Sequence, residues 1–123
     1  MSRFQGDLPE RTFRFALRIV VLMKDLPHDP RGWVVANQVM RSGTSIGVNI
    51  REAGAAPTDT DFAHCCNIAR KEASGTHYWL LLCKDSQLLS STSIATALIE
   101  ADEILRILST VVKKSRRHIT HRP

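Results

Sequence analysis

The sequence predicts an all-α chain, an antiparallel up-and-down four-helix bundle, and three observations predict it. Apolar residues recur at alternating steps of four and three along four separate segments, the period of a helix seam. The gaps between those segments are short and rich in Pro, Gly, Asp and Ser, as connections between neighbouring antiparallel helices are. No window sustains the period-two alternation of a half-buried strand.

The first helix is expected over residues 9–26. Asp7 can cap its exposed amides, with Pro9 and Glu10 in the first turn, and Pro27 and Pro30 stop it. It carries two apolar stripes, Phe13, Ala16, Val20 and Met23 beside Phe15, Ile19, Leu22 and Leu26. The second helix is expected over 31–53, with a seam of Val35, Val39, Ser42, Ile46, Asn49 and Ala53 ended by Gly54 and Pro57. Gly43 and Gly47 inside it weaken a lone helix and suit a close approach of another backbone. The third helix is expected over 58–86, capped by Thr58 with Asp61 in its first turn. Its seam is Phe62, Cys66, Ala69, Ala73, Thr76, Leu80 and Cys83, with a second beside it at Cys65, Ile68, Glu72, Gly75, Trp79 and Leu82. The fourth helix is expected over 93–114, with Ile94, Leu98, Ala101, Leu105, Leu108 and Val112 facing in. The bundle thus occupies residues 1–114, and 115–123 form a basic C-terminal tail.

Helices one and three carry more apolar surface than the single stripe a bundle needs. The excess predicts a self-interface, with Phe15, Ile19, Leu22 and Trp79 as oligomer or core packing residues.

Composition narrows the function. Aromatic residues are 6% of the chain, so its core must be mostly aliphatic. No segment approaches the roughly 20 apolar residues of a membrane span, and the N-terminus lacks a signal-peptide pattern, so the expectation is a cytoplasmic protein without a membrane partner. Three cysteines without C-x-x-C spacing suit reduced thiols. The net charge of +5 is local. Residues 1–112 balance acids and bases, so the excess is Lys113, Lys114, Arg116, Arg117 and Arg122.

No catalytic, cofactor or metal site can be assembled. A di-metal bundle needs Glu-x-x-His on two helices, and none occurs. His64, Cys65 and Cys66 are sequence neighbours that point apart on a helix, and His118 and His121 belong to the tail. A structural polar network is expected instead, with Arg41, Ser45, Asn49 and Glu52 along one strip of the second helix. Glu72 faces them, because a carboxylate in an apolar seam needs a cation or donors. The basic tail could contact RNA or DNA through phosphates, extended by Arg11, Arg14 and Arg18 on one side of the first helix.

The segment from Arg41 through Ser42-Gly43-Thr44-Ser45-Ile46-Gly47-Val48-Asn49 to Ala53 resembles the second-helix signature of bacterial four-helix bundle proteins related to the 23S rRNA intervening-sequence protein. Asp61-Phe62, Ile68-Ala69-Arg70-Lys71-Glu72-Ala73 and Thr76-His77-Tyr78-Trp79-Leu80 are similar to that family's third helix. The resemblance implies a small bacterial cytosolic protein, a ring-like homopentamer, without enzymatic activity. It also implies kinship with retroelement accessory variability proteins, which bind nucleic acid and a reverse transcriptase. The motif positions fall on Arg41, Ser45, Asn49, Glu52, Glu72 and Trp79. Gly75 departs from the pattern, standing where a second Glu is expected. The function read from all this is a non-enzymatic oligomeric scaffold or adaptor with nucleic-acid affinity. The alternatives are a module that binds a protein partner and an enzyme built on Glu72.

Overall fold

The computed structural model describes residues 3, 4 and 6–120. Four helices fill it: α1 (Leu8–Leu22), α2 (Pro30–Gly54), α3 (Asp59–Asp85) and α4 (Ser91–Thr120), with a 3-10 turn at Met23–Asp25. No strand occurs among the described residues. All four helices contribute to one core, an arrangement consistent with a four-helix bundle. Neighbours in sequence pack against one another, and the contact between α1 and α4 is the loosest of the four.

The helix ends show which local signals act. Asp7 does not cap α1 with its side chain: its backbone (φ −106°, ψ 27°) lies outside the extended conformation a capping side chain needs. Its carboxylate turns instead to Arg14 at 3.5 Å. Pro30 does not merely stop the first helix but opens α2, at the first position where its missing amide costs nothing. Asp29 is extended there and accepts hydrogen bonds from the amides of Arg31 (2.9 Å) and Gly32 (3.2 Å). The Arg31 guanidinium, then the Gly32 amide, hold its carboxyl below the usual value. The Thr58 hydroxyl caps α3 by accepting from the Asp61 amide at 3.1 Å. Ser90 does the same for Ser93, so α4 begins at Ser91, ahead of the expected start.

The other end of α4 differs more. The expected stop at Lys114 is overrun, because nothing in Ser115 to Thr120 breaks a helix, and α4 continues to Thr120. Most of the expected tail is therefore helix.

The core is aliphatic, as the composition requires. Phe15 is the only fully buried aromatic among the described residues, amid Ile19, Ile46, Leu80, Ile104 and Leu108. The stripe Phe15, Ile19, Leu22 and Leu26 faces in, so three of the four expected packing residues belong to the core of a single chain. Trp79 is half-buried against the core's edge. In α4 Ala97 and Ile104 take the buried places expected of Leu98 and Leu105, which flank them half-buried; in α2 Ile50 replaces Asn49. Each slip moves the seam by one residue, because a helix of 3.6 residues per turn presents two adjacent positions to a wide core.

Space requires glycine at position 32 and leaves little room at position 43. A Cβ on Gly32 would stand 1.8 Å from the Pro27 carbonyl oxygen, and one on Gly43 would stand 3.2 Å from the Ile19 side chain. Around Gly75 there is open space.

Gly32→Ala should therefore lower stability by about 3 kcal/mol, since backbone must move to admit the methyl. Gly75→Ala should raise it by up to about 1 kcal/mol through helix propensity. Urea midpoints of the two variants at low protein concentration check both signs.

Candidate functional site

The expected polar network is only partly one network. Arg41 Nη1 donates to Glu72 Oε2 at 2.9 Å, joining α2 to α3. Glu72 is not sealed in a seam: it sits at the solvent-lapped edge of the α2–α3 contact, 21% exposed, with Arg41 61% exposed. Ser45 and Asn49 bond back to their own helix, to the carbonyls of Arg41 (2.6 Å) and Ser45 (2.9 Å), rather than to Glu72. Short polar side chains within a helix commonly find such carbonyls first. Glu52 is exposed and near Cys65.

The buried polar contact between these helices lies elsewhere. The Thr76 hydroxyl, fully buried, lies 2.9 Å from Ser42 Oγ and 2.7 Å from the Glu72 carbonyl. Both residues stood on the expected seams, but the 3.6 period alone gave no sign that two seam hydroxyls would meet.

The cations divide into two sets. Arg11 reaches Glu103 at 3.1 Å, and Arg18 pairs with Glu100, so two of the three arginines expected to extend a phosphate surface tie α1 to α4 instead. Glu100 Oε1 is closed off from solvent with the Arg18 cation against it and no aligned hydrogen bond. Arg14 meets Asp7. The three do share one side of α1, as their spacing requires, but that side confronts acids. Lys113, Lys114, Arg116 and Arg117 are exposed on the last turns of α4, while Arg122 and His121 lie outside the described residues.

A groove of about 630 Å³ runs between α1 and α2, floored by Ala16, Gly47 and Ile50 and walled by Phe13, Leu17, Val20 and Val48. Those four walls are 56%, 52%, 47% and 59% exposed, large values for apolar side chains brought together. Phe13, Ala16 and Val20 of the expected first stripe line this groove, whereas Met23 packs against the core. The second seam of α3, from Cys65 to Leu82, is likewise only half-covered.

Among the described residues, no three His, Cys, Asp or Glu side chains stand close enough to hold a metal ion. Cys66 and Cys83 are buried thiols, and burial pushes Cys66 up to about 12. No described helix is long and apolar enough to cross a membrane.

These features define an all-helical protein that offers contact surfaces: a groove walled by apolar side chains, a half-covered seam and a basic helix end. The chain belongs to the 23S rRNA-intervening sequence protein family, whose model matches residues 7–110. It is also similar to a crystallised protein of unknown function from the S23 ribosomal protein family of Bacteroides thetaiotaomicron. The two are 37% identical over 87% of this chain and 99% of that one, with a TM-score of 0.80. No curated protein matches.

Thr76→Val should cost about 1–2 kcal/mol, because it leaves the Ser42 hydroxyl buried without its partner. A double-mutant cycle on Arg41 and Glu72 should return less than about 1 kcal/mol, the scale of a solvent-lapped ion pair. The thiol of Cys66 is favoured neutral in the fold, so its contribution is complete below the ordinary value of 9.0 and is lost as pH rises toward about 12. Thermal midpoints should therefore fall from pH 9 upward, and Cys66→Ala should flatten that fall.

Proposed function

We propose that the protein is a non-enzymatic, self-assembling helical scaffold, an antiparallel up-and-down bundle closed into a ring-like homopentamer, that binds RNA or DNA at its basic end. The observation that carries the reading is the apolar groove between α1 and α2, whose four walls stay about half exposed in the described chain. The half-covered seam of α3 is a second and different apolar surface. Two unlike patches on one chain suit a head-to-tail contact, and a head-to-tail contact that closes makes a ring. The antiparallel arrangement is supported by the α1–α4 ion pairs: Arg11 meets Glu103 and the later Arg18 meets the earlier Glu100.

Nucleic-acid binding is assigned to Lys113, Lys114, Arg116 and Arg117, four exposed cations within five residues at the end of α4. A ring would gather the copies of this basic end, so that weak phosphate contacts act together. The family's name, with its reference to 23S rRNA, supports RNA as the first ligand to test. A catalytic role for Glu72 finds no support, since its carboxylate is engaged by Arg41 at the edge of the α2–α3 contact.

Light scattering behind size exclusion tests the assembly. The wild type should run as an oligomer, and Leu17→Glu with Val48→Glu should dissociate it. A wild-type monomer at all concentrations overturns the scaffold reading and favours a groove that receives a different protein. Binding of a short single-stranded RNA tests the basic end. Replacing Lys113, Lys114, Arg116 and Arg117 by Ala should weaken binding and reduce the salt slope by roughly 3. An unchanged affinity removes these cations from the site.

A further inference from the structure

The last buried residue of α4 is Val112, yet the helix continues to Thr120. That extension is poorly stabilised by its own sequence. Lys113 lies three and four residues before Arg116 and Arg117, and Lys114 three before Arg117, spacings at which like charges repel. Cations suit the end of a helix dipole, but a terminal run without buried residues frays unless tertiary contacts hold it.

His118 makes one such contact. His118 Nε2 lies 3.3 Å from Asp59 Oδ2, at the first turn of α3. The other oxygen of Asp59 accepts from Arg3 Nη1 at 2.9 Å. Arg3 is itself fixed twice more: its Nε donates to the Ala56 carbonyl at 3.2 Å, and its guanidinium stands 5.4 Å from the centre of the Phe62 ring. Next to it, Phe4 packs on Phe62 with ring centres 5.3 Å apart. Phe4 and Phe62 both cover the small apolar cluster of Ala53, Cys66 and Val112, which lies where α4 leaves the core. Gly6 then turns the chain into α1 through a positive φ of 93°.

We infer that Arg3 and Phe4 form an N-terminal strap that, through Asp59 and His118, fixes the basic end of α4 against the first turn of α3. Arg3 neutralises and orients the Asp59 carboxylate, and Phe4 seals the apolar cluster under Val112. Asp59 then offers His118 an acceptor in a set position. The order of Lys113 to Arg117 thus depends on a segment more than 100 residues earlier in the chain. The inference stands apart from nucleic-acid binding, and its test uses no nucleic acid, so a basic end that binds no phosphate leaves it intact.

Amide hydrogen exchange on the full chain, read by mass spectrometry, decides it. In an Arg3→Ser, Phe4→Ser double variant, residues 113–120 should exchange about three- to tenfold faster, while residues 94–108 keep the wild-type rate. His118→Ala, which leaves the strap itself unaltered, should accelerate the same residues. Wild-type exchange over 113–120 in either variant overturns the inference, as does acceleration spread evenly over all four helices in the double variant.

Discussion

Helix α2 stands between α1 and α3, and two small adjacent residues at its middle set the distance to both. Gly43 lets the Ile19 side chain of α1 lie against the α2 backbone, and Ser42 meets the Thr76 hydroxyl of α3 across the other side. Larger residues at either position would push a neighbouring helix outward and open the aliphatic core around Phe15 and Ile46. The loosest contact of the four, between α1 and α4, is the one that relies on long charged side chains, Arg11 with Glu103 and Arg18 with Glu100. Close packing follows the small residues, and ion pairs span the wider seam.

That division also explains why the surface of α1 has two characters. Its inner stripe fills the core. Arg11 and Arg18 reach toward α4, and Phe13, Leu17 and Val20 are left to wall the groove shared with α2. A helix whose apolar residues cover more than one stripe cannot bury all of them against two neighbours. The surplus in α1 and the second seam of α3 are two results of this constraint, and both are surfaces for a partner in the reading proposed above.

The positive charge is similarly partitioned. Within residues 1–112 bases equal acids, and the structure shows many of them meeting: Arg41 with Glu72, Arg31 with Asp29, Arg106 with Asp102. Of the unbalanced cations, Lys113, Lys114, Arg116 and Arg117 are carried on the part of α4 beyond Val112, its last buried residue. In the reading proposed above, that basic helix end is the surface that meets a phosphate backbone.

The sequence by itself determined the helices and their turns, since these rest on local physics: the 3.6 period, Thr58 as a cap, the prolines around Asp29. It also determined the aliphatic core and the stripe from Phe15 to Leu26. It placed Arg41 and Glu72 where they could meet, although they do so at the exposed edge of the α2–α3 contact rather than inside an apolar seam. What only the tertiary structure decided was which distant residues meet. Asp7 turns to Arg14 instead of capping, Ser42 finds Thr76, Gly32 leaves room for the Pro27 carbonyl, and α4 runs past Lys114 beside Asp59. Helix period sets the face a residue occupies, but register between helices sets its partner, and register emerges only when all four seams pack together.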